Sequence, residues 1–134
     1  MHTTNYTNTF IACADDCPVE TGCAPPEKEP PTIAWLQYEI IRNNPYRFTS
    51  DDVVFLVHLA RSGLDPSDSG ALRAEFFSKG HACLRSSPLA KRYGWGIYHD
   101  ADSRVAIYPR GSAEYERLSQ DPTLKQAKAM KNAR

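Results

Sequence analysis

Five of the ten prolines crowd into one stretch, residues 15–31, DDCPVETGCAPPEKEPP. Proline has no backbone N–H and a locked φ, so this stretch can be neither helix nor the interior of a sheet. It reads as an extended, proline-rich surface loop, too short to link two domains. The core must therefore come from a short piece before the loop and a longer run after it. With 134 residues in all, there is room for a single domain, 1–134, around one core. Apolar residues at 41% and charged residues at 24% sit in the ordinary globular range, which sets wholesale disorder aside.

Ahead of the loop, TNTFIACA (7–14) mixes β-branched and aromatic residues and reads as a strand. Behind it, TIAWLQYEIIRNN places Ile33, Trp35, Leu36 and Ile40 at helical spacing, with Thr32 as cap and Pro45 as stop. TSDDVVFLVHLARSG starts a second helix at Thr49 or Ser50, with Asp51 and Asp52 where the helix dipole favours negative charge. Val53, Leu56, Val57 and Ala60 form its apolar stripe and Gly63 ends it. SGALRAEFFSKG repeats the logic on a shorter scale, with Leu72, Phe76 and Phe77 inward.

Ser87 followed by Pro88 opens a helix of barely two turns, a side-chain cap and then proline at the first helical position. WGIYHDADSRVAIYP reads as a β-hairpin, with Trp95, Ile97 and His99 on one face of its first strand and Val105 and Ile107 on one face of its second. Ser112 and the pair Asp121-Pro122 are expected to open two final helices, the last of them basic. Strands and helices do not alternate as crossover units require. The expected class is α+β, a short antiparallel sheet (N-terminal strand plus C-terminal hairpin) packed against several helices.

Formal net charge is zero, which removes the simplest argument for a nucleic-acid or membrane partner. The charge is uneven: residues 1–66 carry a net of −5 and residues 67–134 a net of +5. The halves can attract each other, or the second can show a basic face to an anion. No run approaches the roughly 20 apolar residues of a membrane span. MHTTNYTNTF lacks the basic and apolar regions of a signal peptide, so a cytoplasmic protein is expected. In that compartment Cys13, Cys17, Cys23 and Cys83 are expected as thiols, and their spacing with His81 fits no recurrent zinc pattern. Neither metal nor cofactor is expected. HDADSR (99–104) lacks the glycine and glutamate of a calcium loop and reads as a hairpin turn.

The densest chemistry lies in RSSPLAKRYGWGIYHD (85–100). The start of the Ser87 helix offers free N–H groups beside Arg85, Lys91 and Arg92, a combination suited to phosphate or carboxylate. Gly94 and Gly96 would let a ligand or another backbone come close, and Tyr93 or Trp95 could stack on a ring. The expected site is a concavity formed by Arg85, Ser87, Lys91, Tyr93 and Trp95, with Lys79 and His99 at its rim, holding a small anionic ligand. Two alternatives stand beside it. A winged-helix-like nucleic-acid binder would use Arg85, Lys91, Arg92 and Arg104 on phosphates. An enzyme would use Cys83 or His99, although no catalytic motif surrounds either.

The segments TTNYTNTFI, DDCP, LQYEI, NPYRFTSDDV, EFFSKG, CLRSSPLAKRYGWGIYHD and LKQAKAMK run from residue 3 to residue 131. On them the chain resembles a family of small bacterial and fungal proteins classed as a domain of unknown function, its most specific motifs being FFSKG and SSPLAKRYGWG. The resemblance implies that Lys79, Arg85, Ser87, Lys91, Tyr93 and Trp95 stand at motif positions. It carries no activity, cofactor or catalytic residue with it. Two departures show: Ser103 stands where the family usually has a glycine in the hairpin turn, and Cys23 within TGCAPPEKEPP is individual to this chain.

Overall fold

The computed structural model describes residues 1–133. Its strands are β1 (Thr9–Ala12), β2 (Trp95–His99), β3 (Val105–Pro109) and β4 (Lys125–Lys128), and its helices α1 (Ile33–Asn43), α2 (Ser50–Ser62), α3 (Ser69–Phe76), α4 (Pro88–Lys91) and α5 (Ala113–Ser119). The strands form one mixed sheet in the order β3-β2-β1-β4. β1 is antiparallel to β2, with Ile11 opposite Ile97, and parallel to β4. The sheet is thus one strand larger than expected. LKQAKAMK supplies a strand where a last basic helix was expected.

Alternation along the strands splits the core in two. On one face Ile11, Ile97 and Val105 pack against Tyr38 and Ile41 of α1, Val53 of α2 and Leu89 of α4. On the other, Phe10 and Cys13 meet Tyr115 and Leu118 of α5. A third cluster, Phe55, Leu59 and Phe77, joins α2 to the end of α3.

The helix starts follow the local signals. Thr32, Ser87 and Ser112 each accept a backbone N–H within the first turn of their helix, and Thr49 forms a reciprocal capping box with Asp52. Gly63 closes α2 in the left-handed conformation, φ 64°. The buried faces differ from the expected stripes. α1 buries Ala34, Gln37, Tyr38 and Ile41 and leaves Ile33 exposed. Gln37 can be buried because the Ser87 hydroxyl donates to its Oε1 at 2.6 Å. α2 buries Val53 toward the sheet but Phe55 and Leu59 toward α3, while Ala60 is exposed. A helix flanked on both sides needs two apolar stripes, not one.

Asp51 does more than favour a helix start. Its carboxylate accepts from the Thr3 hydroxyl (2.7 Å), the Thr4 amide (2.6 Å) and the Thr4 hydroxyl (2.7 Å), pinning the N-terminal arm across α2. The hairpin turn keeps a left-handed residue without glycine: Ser103 has φ 66°. The cost of about 1 kcal/mol is offset by Asp100, whose carboxylate accepts from the Asp102 and Arg104 amides at 2.9 Å each. β2 lies inside the sheet between β3 and β1, so the hairpin is no free wing.

Candidate functional site

α1, α2 and the segment from Phe76 to Pro88 enclose an open groove of about 690 Å³. Its walls follow from a second stripe on α2. Val54, Val57, His58 and Arg61 recur at helical spacing beside the buried stripe and turn toward the groove. With Ile33 from α1 and Leu84 and Pro88 opposite, they give an apolar lining.

Polar groups enter this lining at defined points. At one end the Ser87 hydroxyl donates to Gln37 and accepts from the Leu89 amide at 3.1 Å, so its capacity is largely spent within the wall. At the other, the His81 ring stacks on Phe76 with centroids 3.7 Å apart, and His58 lies 4.6 Å from the same ring. His81 Nε2 is 2.7 Å from the Phe76 carbonyl oxygen. A carbonyl only accepts, so Nε2 carries a proton and donates. Arg61 is exposed and makes no salt bridge among the described residues; the two that occur are Arg73–Asp52 and Lys128–Asp15. No aspartate or glutamate lines the groove.

Cys83 also lines it, with Sγ 3.1 Å from the Tyr6 hydroxyl. That bond, then burial, raises the Tyr6 pKa above its ordinary value, while the nearby Arg85 pulls it down. No imidazole is hydrogen-bonded to the Cys83 thiol among the described residues.

Of the seven expected site residues, Ser87 alone lines this groove. Arg85 Nε donates to the Lys128 carbonyl at 2.8 Å, and the Arg85 carbonyl accepts from the Met130 amide at 2.9 Å. The Lys91 carbonyl accepts from the Asn132 side-chain amide at 2.8 Å. The Tyr93 carbonyl accepts from the Cys23 amide at 2.9 Å, and Trp95 Nε1 donates to the Cys23 carbonyl at 2.8 Å. Lys79 is exposed, just beyond α3. The close approach promised by the glycines is made by the chain itself. Gly94 has φ 78°, and a Cβ there would lie 2.6 Å from the Thr21 carbonyl oxygen. Gly96 lies against the rings of Phe10 and Tyr115.

His99 is fully buried, and no hydrogen bond reaches either ring nitrogen. Burial pushes its pKa down to about 4, only partly countered by the nearby Ile97 and Thr9 backbone. It stands edge-on to Tyr6 at 5.4 Å, within the core and away from any rim.

His58, Arg61 and Gln37 escape a reading of the sequence because nothing around them is unusual; the 54/57/58/61 spacing is the one signal that could have found them. Fold and groove together define a small α+β domain with one face left open between two helices and an irregular segment. Residues 1–134 match the model of a family of unknown function, DUF6157, and the chain belongs to that family. No curated protein and no solved structure matches it. Among the described residues no helix is long and apolar enough to cross a membrane.

Proposed function

We propose that this protein binds a small anionic ligand with an apolar body, and that the ligand lies in the groove between α1, α2 and residues 76–88. One observation carries the reading: an apolar groove is lined by Arg61, His58 and His81 with no carboxylate among its lining residues. An uncompensated cation beside an apolar wall favours a carboxylate or phosphate attached to a hydrophobic group. The volume of about 690 Å³ falls within the range of small-molecule sites. The anion is placed at the Arg61 end and the apolar body toward Ile33, Leu84 and Pro88. The expected neighbourhood of SSPLAKRYGWG is thereby kept only at its first residues, Ser86 and Ser87, which line the groove.

The reading is one of binding, without a reaction. It is tested by thermal shift with four probes: octanoate, phenyl phosphate, octanol and octylamine. The anions are expected to raise Tm, and a ligand at 100 times its Kd adds about 2.7 kcal/mol of stability. Equal stabilisation by octylamine, or none by either anion, contradicts the reading.

A further inference from the structure

Cys13 follows β1 directly, 5% exposed within the Phe10–Tyr115–Leu118 cluster. The chain then reverses in a tight turn, closed by the Cys17 amide donating to the Ala14 carbonyl at 3.0 Å. The reversal returns Cys17 to the same cluster, so the two cysteines pack at the base of one turn, the Cys17 thiol donating to the Val19 carbonyl at 3.7 Å. One thiol is sealed and the other is half-buried. The tip of this turn holds the C-terminal segment. Asp15 pairs with Lys128 Nζ at 2.8 Å, and the Asp16 carboxylate accepts from the Asn132 amide (3.0 Å), the Ala133 amide (2.8 Å) and the Asn132 side chain (3.2 Å).

We propose that Cys13 and Cys17 are a reversible dithiol, oxidised to a disulfide by hydroperoxides, and that closing this bond loosens the Asp15–Asp16 clasp on residues 128–133. The Cys17 thiolate attacks the peroxide: an S–O bond forms, the O–O bond breaks, and the leaving oxygen departs as water after protonation. The Cys13 thiolate then attacks the Cys17 sulfur, forming S–S and expelling hydroxide, which is protonated to water. Two thiols and one hydrogen peroxide give one disulfide and two waters. A small thiol reverses the change by exchange.

Burial and geometry divide the roles. Peroxide reaches Cys17, and Cys13 resolves. Burial holds the Cys13 thiol up at about 11, so resolution is the slow step. The Tyr115 oxygen accepts from the Cys13 amide at 3.0 Å, and the nearby hydroxyl only partly offsets the effect of burial on the thiol. A Cys17 sulfenic acid therefore lives long enough to be trapped. The disulfide would close a loop on the very turn that presents both aspartates, and their geometry cannot survive unchanged.

The test uses reduced full-length protein, equimolar hydrogen peroxide, N-ethylmaleimide quenching and peptide mapping. The expected product links Cys13 to Cys17, leaves Cys23 and Cys83 alkylated, and returns to four alkylated thiols after dithiothreitol. Dimedone should label Cys17 before the link forms, and Cys17→Ser should abolish both label and link. Cys17 is only half-buried, so this variant is expected to fold; Cys13→Ser, where it folds, should make the Cys17 label persist. Amide exchange of Asn132 and Ala133 should quicken at least about tenfold on oxidation, as loss of a charge-assisted hydrogen bond implies. Pairing of Cys17 with Cys23, oxidation confined to Cys23 or Cys83, or a Cys13–Cys17 link that leaves the exchange unchanged would each overturn the proposal.

Discussion

The groove and the 85–96 segment are both rich in cations and aromatic rings, yet they use them in opposite ways. In 85–96 the Arg85 Nε, the Trp95 indole and the Lys91 and Tyr93 carbonyls are bound by the chain itself. Arg85 and Lys91 hold the C-terminal segment, while Tyr93, Gly94 and Trp95 hold the proline-rich loop. In the groove, Arg61 has no partner carboxylate among the described residues and an apolar wall beside it. Density of chemically capable residues does not by itself mark a site. Residues with unspent capacity beside an open apolar surface are the better sign.

The contrast is broken most severely at Gly94. Gly94→Ala places a side chain at φ 78° and against the Thr21 carbonyl, where strain and overpacking together should cost about 3 kcal/mol. Urea unfolding measures it; a loss below about 1 kcal/mol would mean that the loop is not seated on this segment.

A loss of similar size should come from the core beneath both regions. The His99 pKa is about 4 in the folded chain against 6.5 for the free side chain. The unfolded state therefore binds more protons between these values. Stability is complete above pH 6.5 and falls as pH drops toward 4, by about 3 kcal/mol in all. Unfolding curves of wild type and His99→Gln across this window check it: the histidine contribution should vanish in the variant, and an unchanged acid slope would assign it elsewhere.

Ser87 belongs to both regions, capping α4 and walling the groove. Ser87→Ala should cost about 2 kcal/mol, through the lost cap and the stranded Gln37 amide. Denaturant unfolding reads the loss, and Gln37→Leu in the same chain should recover part of it. The smallest effect is expected from Arg85→Ala, within about 1 kcal/mol, because its bond to Lys128 is exposed. Faster amide exchange of Met130 should accompany it.

Much of the frame was legible in the sequence. Thr32, Thr49, Ser87 and Ser112 are caps whose side chains act within one turn, so local residues suffice to place them. The hairpin was legible for the same reason. Non-local choices were hidden. KQAK has no β-branched residue and good helical propensity, yet it forms β4 because β1 offers it an edge and Arg85, Asp15 and Asp16 hold its end and the residues after it. The rotation of α1 depends on Ser87, fifty residues away, offering Gln37 a buried partner. The groove was hidden because His58 and Arg61 look like any polar face of a helix until Phe76 and His81 come to rest beside them.

The central claim is that anion binding belongs to Arg61 and that Arg85 is architecture. Isothermal titration with octanoate against wild type, Arg61→Ala and Arg85→Ala tests it directly. Arg61→Ala should weaken binding at least about tenfold, the worth of a charge-assisted hydrogen bond, without moving Tm in the absence of ligand. Arg85→Ala should leave Kd within about twofold, as expected of an exposed charge outside the groove. Affinity that survives Arg61→Ala but is lost with Arg85→Ala would contradict the account and return the site to the 85–96 segment.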